Sequence, residues 1–262
     1  MERTLTVKKI GDKNFDIVLN ASSYRHPHII LNFLRSESAG AYVNQEFEDN
    51  GWKVIDVTNL ETAKTKLYNY LDGNEAETIY LNSHGGATVK IQDGNFKLDD
   101  EGNYIPNLKT KKPDDYLRET NSGAHLGPTD NDWVMSYHLE YYNHEKKKKR
   151  LKEVQIKNIE LLVAIAKKVK AGKNLVFGSC NTGMDDRFGK HLVQIIPNTI
   201  DIFMNNNLTS SITTGGKITF DNFTKYAQTS AGTLGWDRFK KGSSKKLYKN
   251  LIINKYGVKV VQ

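Results

Sequence analysis

Residues 173–183 read KNLVFGSCNTG. An apolar run, Leu175-Val176-Phe177, passes directly into Gly178-Ser179-Cys180, and Gly183 follows three residues later. A short apolar run that stops at glycine is the pattern of a buried strand ending in a turn. Cys180, the only cysteine of the chain, is then either a small apolar residue at the end of that strand or a nucleophile presented at its tip. Residues 77–86, ETIYLNSHGG, are built the same way: a strand-like run enters Ser83-His84-Gly85-Gly86.

Working outward from these two stretches, the spacing predicts an alternation of strands and helices. NFDIVLNASSY (14–24) reads as a buried strand. After Pro27, residues 28–51 read as a helix stopped by Asn50-Gly51, and WKVIDVTN (52–59) as a strand. Leu60, Ala63, Leu67 and Leu71 lie at helical spacing within 60–74, where Gly73 ends the helix. With the strand at 77–86 this is βαβαβ, the signature of a parallel sheet covered by helices.

Beyond it, Asp93-Gly94 between two short strand-like runs signals a hairpin. Residues 99–132 read as a long irregular stretch rich in Gly, Pro, Asp and Asn, either a functional lid or disordered. Residues 154–174 read as a helix closed by Gly172, 174–179 as a strand, 184–196 as a helix with Asp185 and Asp186 in its first turn, and 199–206 as a further strand. The end of the chain alternates glycine turns and short strands and closes on LIINKYGVKVV (251–261). The economical organisation is a single α/β domain over 1–262, with an insertion at about 87–150 and a β-rich tail at about 207–262.

The 262 residues carry a formal charge of +8, mostly as scattered lysine. The one dense run, EKKKKR (145–150), reads as the solvated face of a helix. Aromatic residues do not interleave with basic ones as a single-strand binding platform requires, so nucleic acid is not an expected partner. No apolar stretch reaches the roughly 18 residues of a membrane span. The N-terminal residues MERTLTVKKIGDK lack the apolar segment of a secretory signal. A lone cysteine forms no intrachain disulfide, which suits the cytoplasm, or a reducing cytosol into which a larger secreted protein delivers its domain. The histidine spacings, His26 and His28 about Pro27 and then His125, His138 and His144, do not make a zinc motif, so no metal is expected.

In a parallel α/β sheet, sites form outside the carboxyl ends of the strands. If the strands ending at 83 and 179 are neighbours, His84 and Cys180 converge there. A free thiol ionises near pH ~8.5. A histidine at hydrogen-bond distance takes its proton and later returns it to a leaving amine. The N–H groups of Gly85 and Cys180 would hold the oxyanion. An α/β-hydrolase would instead need its histidine after the nucleophile, and only His191 follows, inside the next helix.

At SHGG (83–86) and GSCNTG (178–183) the chain resembles the caspase-like cysteine peptidases: caspases, metacaspases, legumains, gingipains, clostripain and the autoprocessing domains of large bacterial toxins. The resemblance implies a three-layer α/β/α sandwich with a mostly parallel sheet and a Cys180/His84 dyad. It also implies an oxyanion hole from Gly85 and Cys180, and cysteine endopeptidase activity on a protein substrate, the chain itself or a fused neighbour included. It further implies substrate contacts from Ser83, Gly178, Ser179 and Arg25, the last from the loop after the first strand.

Two departures stand out. His84 and Cys180 are 180 − 84 = 96 residues apart, against about 50 in caspases. Gly178 occupies the position two before the cysteine, where several of these families place a residue that reads P1, so no acidic or basic P1 preference carries over. GSCNTG is nearest to the toxin autoprocessing domains, some of which are switched on by inositol hexakisphosphate held by lysines. The chemistry itself needs no cofactor; an inositol polyphosphate or a divalent cation is the activating ligand to test. The competing readings are a catalytically silent caspase-like binding module and a basic polyanion-binding domain with a structural cysteine.

Overall fold

Five short runs, HIILN, KVID, AETIYLN, NLVF and DIFMN, line up side by side as the parallel core of one sheet. The structure is a computed structural model, and it describes residues 6–10, 14–18, 26–34, 47–90, 119–179, 182–205, 236–248 and 250–261.

In chain order, β1 (Thr6–Ile10) and β2 (Asn14–Val18) form a separate antiparallel ribbon. β3 (His28–Asn32), β4 (Lys53–Asp56), α1 (Leu60–Leu71) and β5 (Ala76–Asn82) follow. β6 (His84–Lys90), β7 (Glu119–His125) and β8 (Trp133–Met135) make a three-stranded antiparallel sheet. Then come α2 (Ser136–Tyr142), α3 (Glu145–Lys148), α4 (Glu153–Ala166), β9 (Val169–Phe177), α5 (Asp186–Ile195) and β10 (Asp201–Asn205). β11 (Trp236–Lys240), β12 (Lys246–Tyr248) and a hairpin of β13 (Asn250–Asn254) with β14 (Gly257–Val261) close the chain.

The main sheet has the order β12-β11-β10-β9-β5-β3-β4. Strands β10, β9, β5, β3 and β4 are parallel, while β11 and β12 are added antiparallel. The chain is therefore α/β with a mostly parallel mixed sheet.

Strand alternation sends Ile29, Leu31, Ile79, Leu81, Leu175, Phe177, Ile202 and Met204 to one face. There they meet Leu60, Ala63 and Leu67 of α1, Leu139 of α2, Ile159, Leu162 and Ile165 of α4, and Phe188 and Leu192 of α5. Ile30, Tyr80, Val176 and Phe203 point to the other face. Among the described residues that face is covered by Phe47, Trp52 and the β13–β14 hairpin, which brings Leu251 and Ile253. The Trp52 indole N–H donates to the Asn254 carbonyl at 2.8 Å and ties the hairpin down. Within the described residues the layer on this face is the hairpin, whose residues alternate at the strand period of two, together with the helical residues 47–49, which carry Phe47 and end the stretch read as helix over 28–51. Among the described residues no helix is long and apolar enough to cross a membrane.

Four element readings are corrected. Within the stretch read as a loop over 99–132, residues 119–125 form β7, paired between β6 and β8. β2 is not the first strand of the main sheet; that place belongs to β3, within the stretch read as helix over 28–51. All five β3 residues are buried, and a short continuous apolar run after proline is a central strand as readily as a helical turn. The helix read to Gly172 ends at Ala166. Gly172, at φ 76°, instead lies inside β9, where the register against β5 shifts between Ala76 and Thr78; glycine adopts that backbone freely. The glycine turn read at 84–86 is the start of β6. The hairpin turn read at Asp93-Gly94 lies outside the described residues.

The α1 boundaries follow from its ends. The Asn59 side chain accepts from the Thr62 N–H at 2.9 Å, and the Asn59 N–H donates to the Thr62 hydroxyl at 3.1 Å, a reciprocal cap. At the other end Asp72, at φ 46°, and Gly73, at φ 87°, take left-handed backbone.

Candidate functional site

Three of the parallel strands end in asparagine, IILN, IYLN and IFMN, and β4 ends in Asp56. The first two asparagines and the aspartate form a ladder along the carboxyl edge of the sheet. The Asn82 amide donates to the Asn32 side-chain oxygen at 2.9 Å, and the Asn32 amide donates to Asp56 at 2.9 Å. The Leu34 N–H donates to the same Asn32 oxygen at 3.2 Å. Asn32 and Asn82 are buried, so these bonds offset the desolvation of their amides. Neither residue was singled out from the sequence. The signal was there as a repeated apolar run closed by asparagine.

The strands carrying the two candidate tips are parallel neighbours, with Ile79, Tyr80 and Leu81 opposite Leu175, Val176 and Phe177. The pairing continues one step further, where the Gly178 N–H donates to the Leu81 carbonyl at 3.0 Å. Next the Ser83 and Ser179 hydroxyls meet at 2.6 Å, both buried. The Ser83 hydroxyl also lies 3.1 Å from the His84 carbonyl. Its single proton goes there if the Ser179 hydroxyl donates to it, so the pair is satisfied without water. His84 opens β6 with an exposed side chain, and Gly85 follows opposite Ala124. Gly178 is closely packed: a Cβ there would sit 2.1 Å from the Tyr80 hydroxyl oxygen. Cys180 and Arg25 lie outside the described residues.

Thr182 is fully buried, and it and Gly183 are held by three neighbouring segments. The Thr182 hydroxyl reaches the Ser179 carbonyl at 3.3 Å, and the Thr182 carbonyl accepts from the Ser122 hydroxyl of β7 at 2.7 Å. The Gly183 N–H donates to the Asn205 carbonyl of β10 at 2.7 Å. Asp185 caps α5 by accepting from the Arg187 N–H at 3.0 Å. The Arg187 guanidinium spans Asp185 at 2.9 Å, Glu140 at 3.0 Å and the Asn121 side-chain oxygen at 3.0 Å. Hydrogen bonds from Lys147 and then Arg187 hold the Glu140 carboxyl below its ordinary range. Asp186 is more open and pairs with Lys245 at 2.7 Å and Lys190 at 3.3 Å. This capping and pairing accounts for both aspartates.

Of the other histidines, His138 is the most perturbed. It is buried at the start of α2, with its ring Nε2 2.8 Å from the Gln155 side-chain nitrogen. The Met135 N–H donates to the ring Nδ1 at 3.2 Å, and the Gln155 side-chain oxygen accepts from the Lys152 N–H at 2.9 Å. Burial lowers the pKa of His138 to about 4. The pKa of His28, whose ring is tilted against Trp52 and bonded to Thr78, is lowered by burial as well.

A depressed histidine pKa means that the unfolded chain binds the proton first. Stability is then full above about pH 6.5 and falls as pH drops through the window down to about 4. His138 alone is expected to account for a loss of about 3 kcal/mol across that window. Urea unfolding followed against pH, with His138→Gln beside the parent chain, checks this. An unchanged slope in the variant would show that His138 does not carry it.

Among the described residues no group of three or more His, Cys, Asp or Glu side chains is set to hold a metal ion. No family model, no curated protein and no solved structure matches this chain.

Proposed function

We propose that the chain is a caspase-like cysteine endopeptidase in which Cys180 attacks the scissile carbonyl and His84 moves the proton. The observation that carries this reading is the Ser83–Ser179 hydrogen bond of 2.6 Å between neighbouring parallel strands. His84 and Cys180 are the residues that follow these two serines in the sequence. Two further features support it. The tips lie at the carboxyl edge of a mostly parallel sheet, where such folds build sites. Thr182 and Gly183, on the far side of the cysteine in sequence, are tied to β7 and β10.

In the proposed reaction the Cys180 thiol gives its proton to His84, and the thiolate sulfur bonds to the carbonyl carbon. The N–H groups of Gly85 and Cys180 receive the developing oxyanion. The tetrahedral intermediate collapses, the C–N bond breaks, and His84 delivers the proton to the leaving amine. Water, deprotonated by the same imidazole, then hydrolyses the thioester and frees the thiol. A free thiol needs reducing surroundings, so the proposed place of action is a cytosol.

The test is a fluorogenic peptide library varied at P1, given to the wild type and to Cys180→Ala in parallel. Intact masses after incubation would expose self-cleavage. The library is repeated with inositol hexakisphosphate and with a divalent cation added. Cleavage by the wild type alone, with alkylation of Cys180 by a thiol-directed electrophile, is the expected result. Equal activity of the two proteins would remove Cys180 from the mechanism. Polyanion binding that weakens steeply with salt, in the absence of any cleavage, would favour the basic binding domain instead.

A further inference from the structure

The small antiparallel sheet that begins at His84 has one face built as a platform. Its register pairs His84 with His125 and Gly86 with Gly123, and then His125 with Trp133 and Gly123 with Met135. Cross-strand partners share a face, and residues two apart on a strand share it too. His84, Gly86, Gly123, His125, Trp133 and Met135 therefore stand on one side of the sheet. The two glycines leave room for larger neighbours. A Cβ at Gly86 would lie 3.4 Å from the Trp133 ring, and one at Gly123 would lie 3.2 Å from that ring and against the Met135 sulfur. The indole thus lies flat across the glycines, and the His125 ring stacks on it at 4.8 Å and 12°.

Above this platform is a cavity of 470 Å³, within the roughly 300–1,000 Å³ range of small-ligand pockets. Trp133, Met135 and Tyr137 make its apolar wall, while Asp130, Lys152 and Gln155 supply a polar rim. It has one fixed relation to the candidate site: Gly86 and Ala87, which line it, follow His84 on the same strand.

We propose that this cavity receives a large apolar side chain, aromatic or Leu-like, from the leaving-group side of the peptide substrate. The proposal rests on the cysteine peptidase reading above. Its direction follows from the proton. The imidazole protonates the leaving amine, so the chain beyond the scissile bond runs past His84. Gly86 is two residues along β6, about 6.6 Å at the rise of an extended strand. The side chain that enters therefore belongs to the first or second residue after the cleaved bond. The Trp133 face and the Met135 thioether suit aromatic packing, and the carboxylate and amine of the rim stay in water.

The experiment has two arms. In the first, internally quenched peptides hold the unprimed residues constant and vary each of the two primed positions among Gly, Leu, Phe, Trp, Lys and Glu. The wild type is expected to favour Phe, Trp or Leu over Gly by about ten- to hundredfold in kcat/KM at one of these positions. That ratio is expected to collapse in Trp133→Ala. Should this variant not fold, Met135→Glu keeps the indole and places a charge in the wall, and is expected to collapse it likewise. In the second arm, amine-terminated leaving-group peptides bearing Phe or Gly are titrated into Cys180→Ala, with and without Trp133→Ala. Tighter binding of the Phe peptide, lost with Trp133, is expected.

Cleavage with no primed-side preference overturns the cavity assignment and leaves the peptidase reading standing. Selective binding in the second arm with no cleavage and no alkylation of Cys180 supports the apolar subsite and overturns the peptidase reading. The absence of both selective cleavage and selective binding overturns the assignment outright.

Discussion

His84→Ala is expected to lower peptide cleavage by about a hundred- to ten-thousandfold while leaving thermal unfolding almost unchanged. The first figure is what a positioned acid–base group contributes to the rate. The second follows from where the side chain sits. His84 is exposed at the first position of β6, one residue beyond the buried Ser83–Ser179 pair that joins the strand tips. Removing an exposed imidazole opens no cavity in the core, so the fold is expected to survive.

His191→Gln is the matched control. His191 lies in α5 with its ring 3.2 Å from the Asn143 side chain, and it is the other histidine an α/β-hydrolase arrangement would need. It is expected to leave the rate within a few-fold. Steady-state kinetics on a fluorogenic peptide and a thermal melt of each protein check both statements. A His84→Ala protein that keeps its fold and more than about a tenth of its activity would refute the general-base role.

Gly178→Ala is expected to destabilise the protein by about 1–3 kcal/mol, the cost of overpacking a filled interior. In the peptidase reading proposed above this position would lie beside the substrate. In the folded chain it also faces Tyr80, buried at 0% exposure, whose ring atoms would lie 2.3 and 2.4 Å from an added methyl group. Neither partner gives way easily. The Gly178 N–H continues the β5–β9 pairing, and Tyr80 sits between Phe47 and the rest of the second core. A loss of that size lowers the melting temperature by roughly 2–4 °C per kcal/mol in a chain of this length.

A double-mutant cycle separates this packing from a substrate role. Tyr80→Ala alone costs several kcal/mol through the cavity it opens. The Gly178→Ala/Tyr80→Ala pair is expected to cost less than the sum, because the methyl group then fills part of that space. Strict additivity of the two unfolding energies would show that the steric conflict at Gly178 is absent. A wild-type-like melt with altered P1 preference in Gly178→Ala would place the glycine in the substrate site instead.

The elements legible in the sequence were those with an unambiguous local period or cap. Leu60, Ala63, Leu67 and Leu71 sit on one stripe of α1 and are all buried, so the helical period alone located that helix. NLVF ending at Gly178 and TIYLN ending at Ser83 were readable as buried strands because apolar runs of that length close on small residues. HIILN was not. Its pattern is compatible with a helical turn, and only its pairing between β4 and β5 makes it a central strand.

The same division runs through the candidate site. The sequence by itself marked His84 and Cys180 as residues able to do chemistry, since residue type and position at a strand end are local properties. That β5 and β9 are neighbours, although the helices between them could have separated them, was decided by the sheet order alone. The Asn82–Asn32–Asp56 ladder, the hold of Arg187 on Glu140, and the platform of Trp133 over Gly86 join residues far apart in the chain. Contacts of that kind leave no period to read. They exist only once burial has brought the strands together and each amide, carboxylate and ring must find its partner in the space that remains.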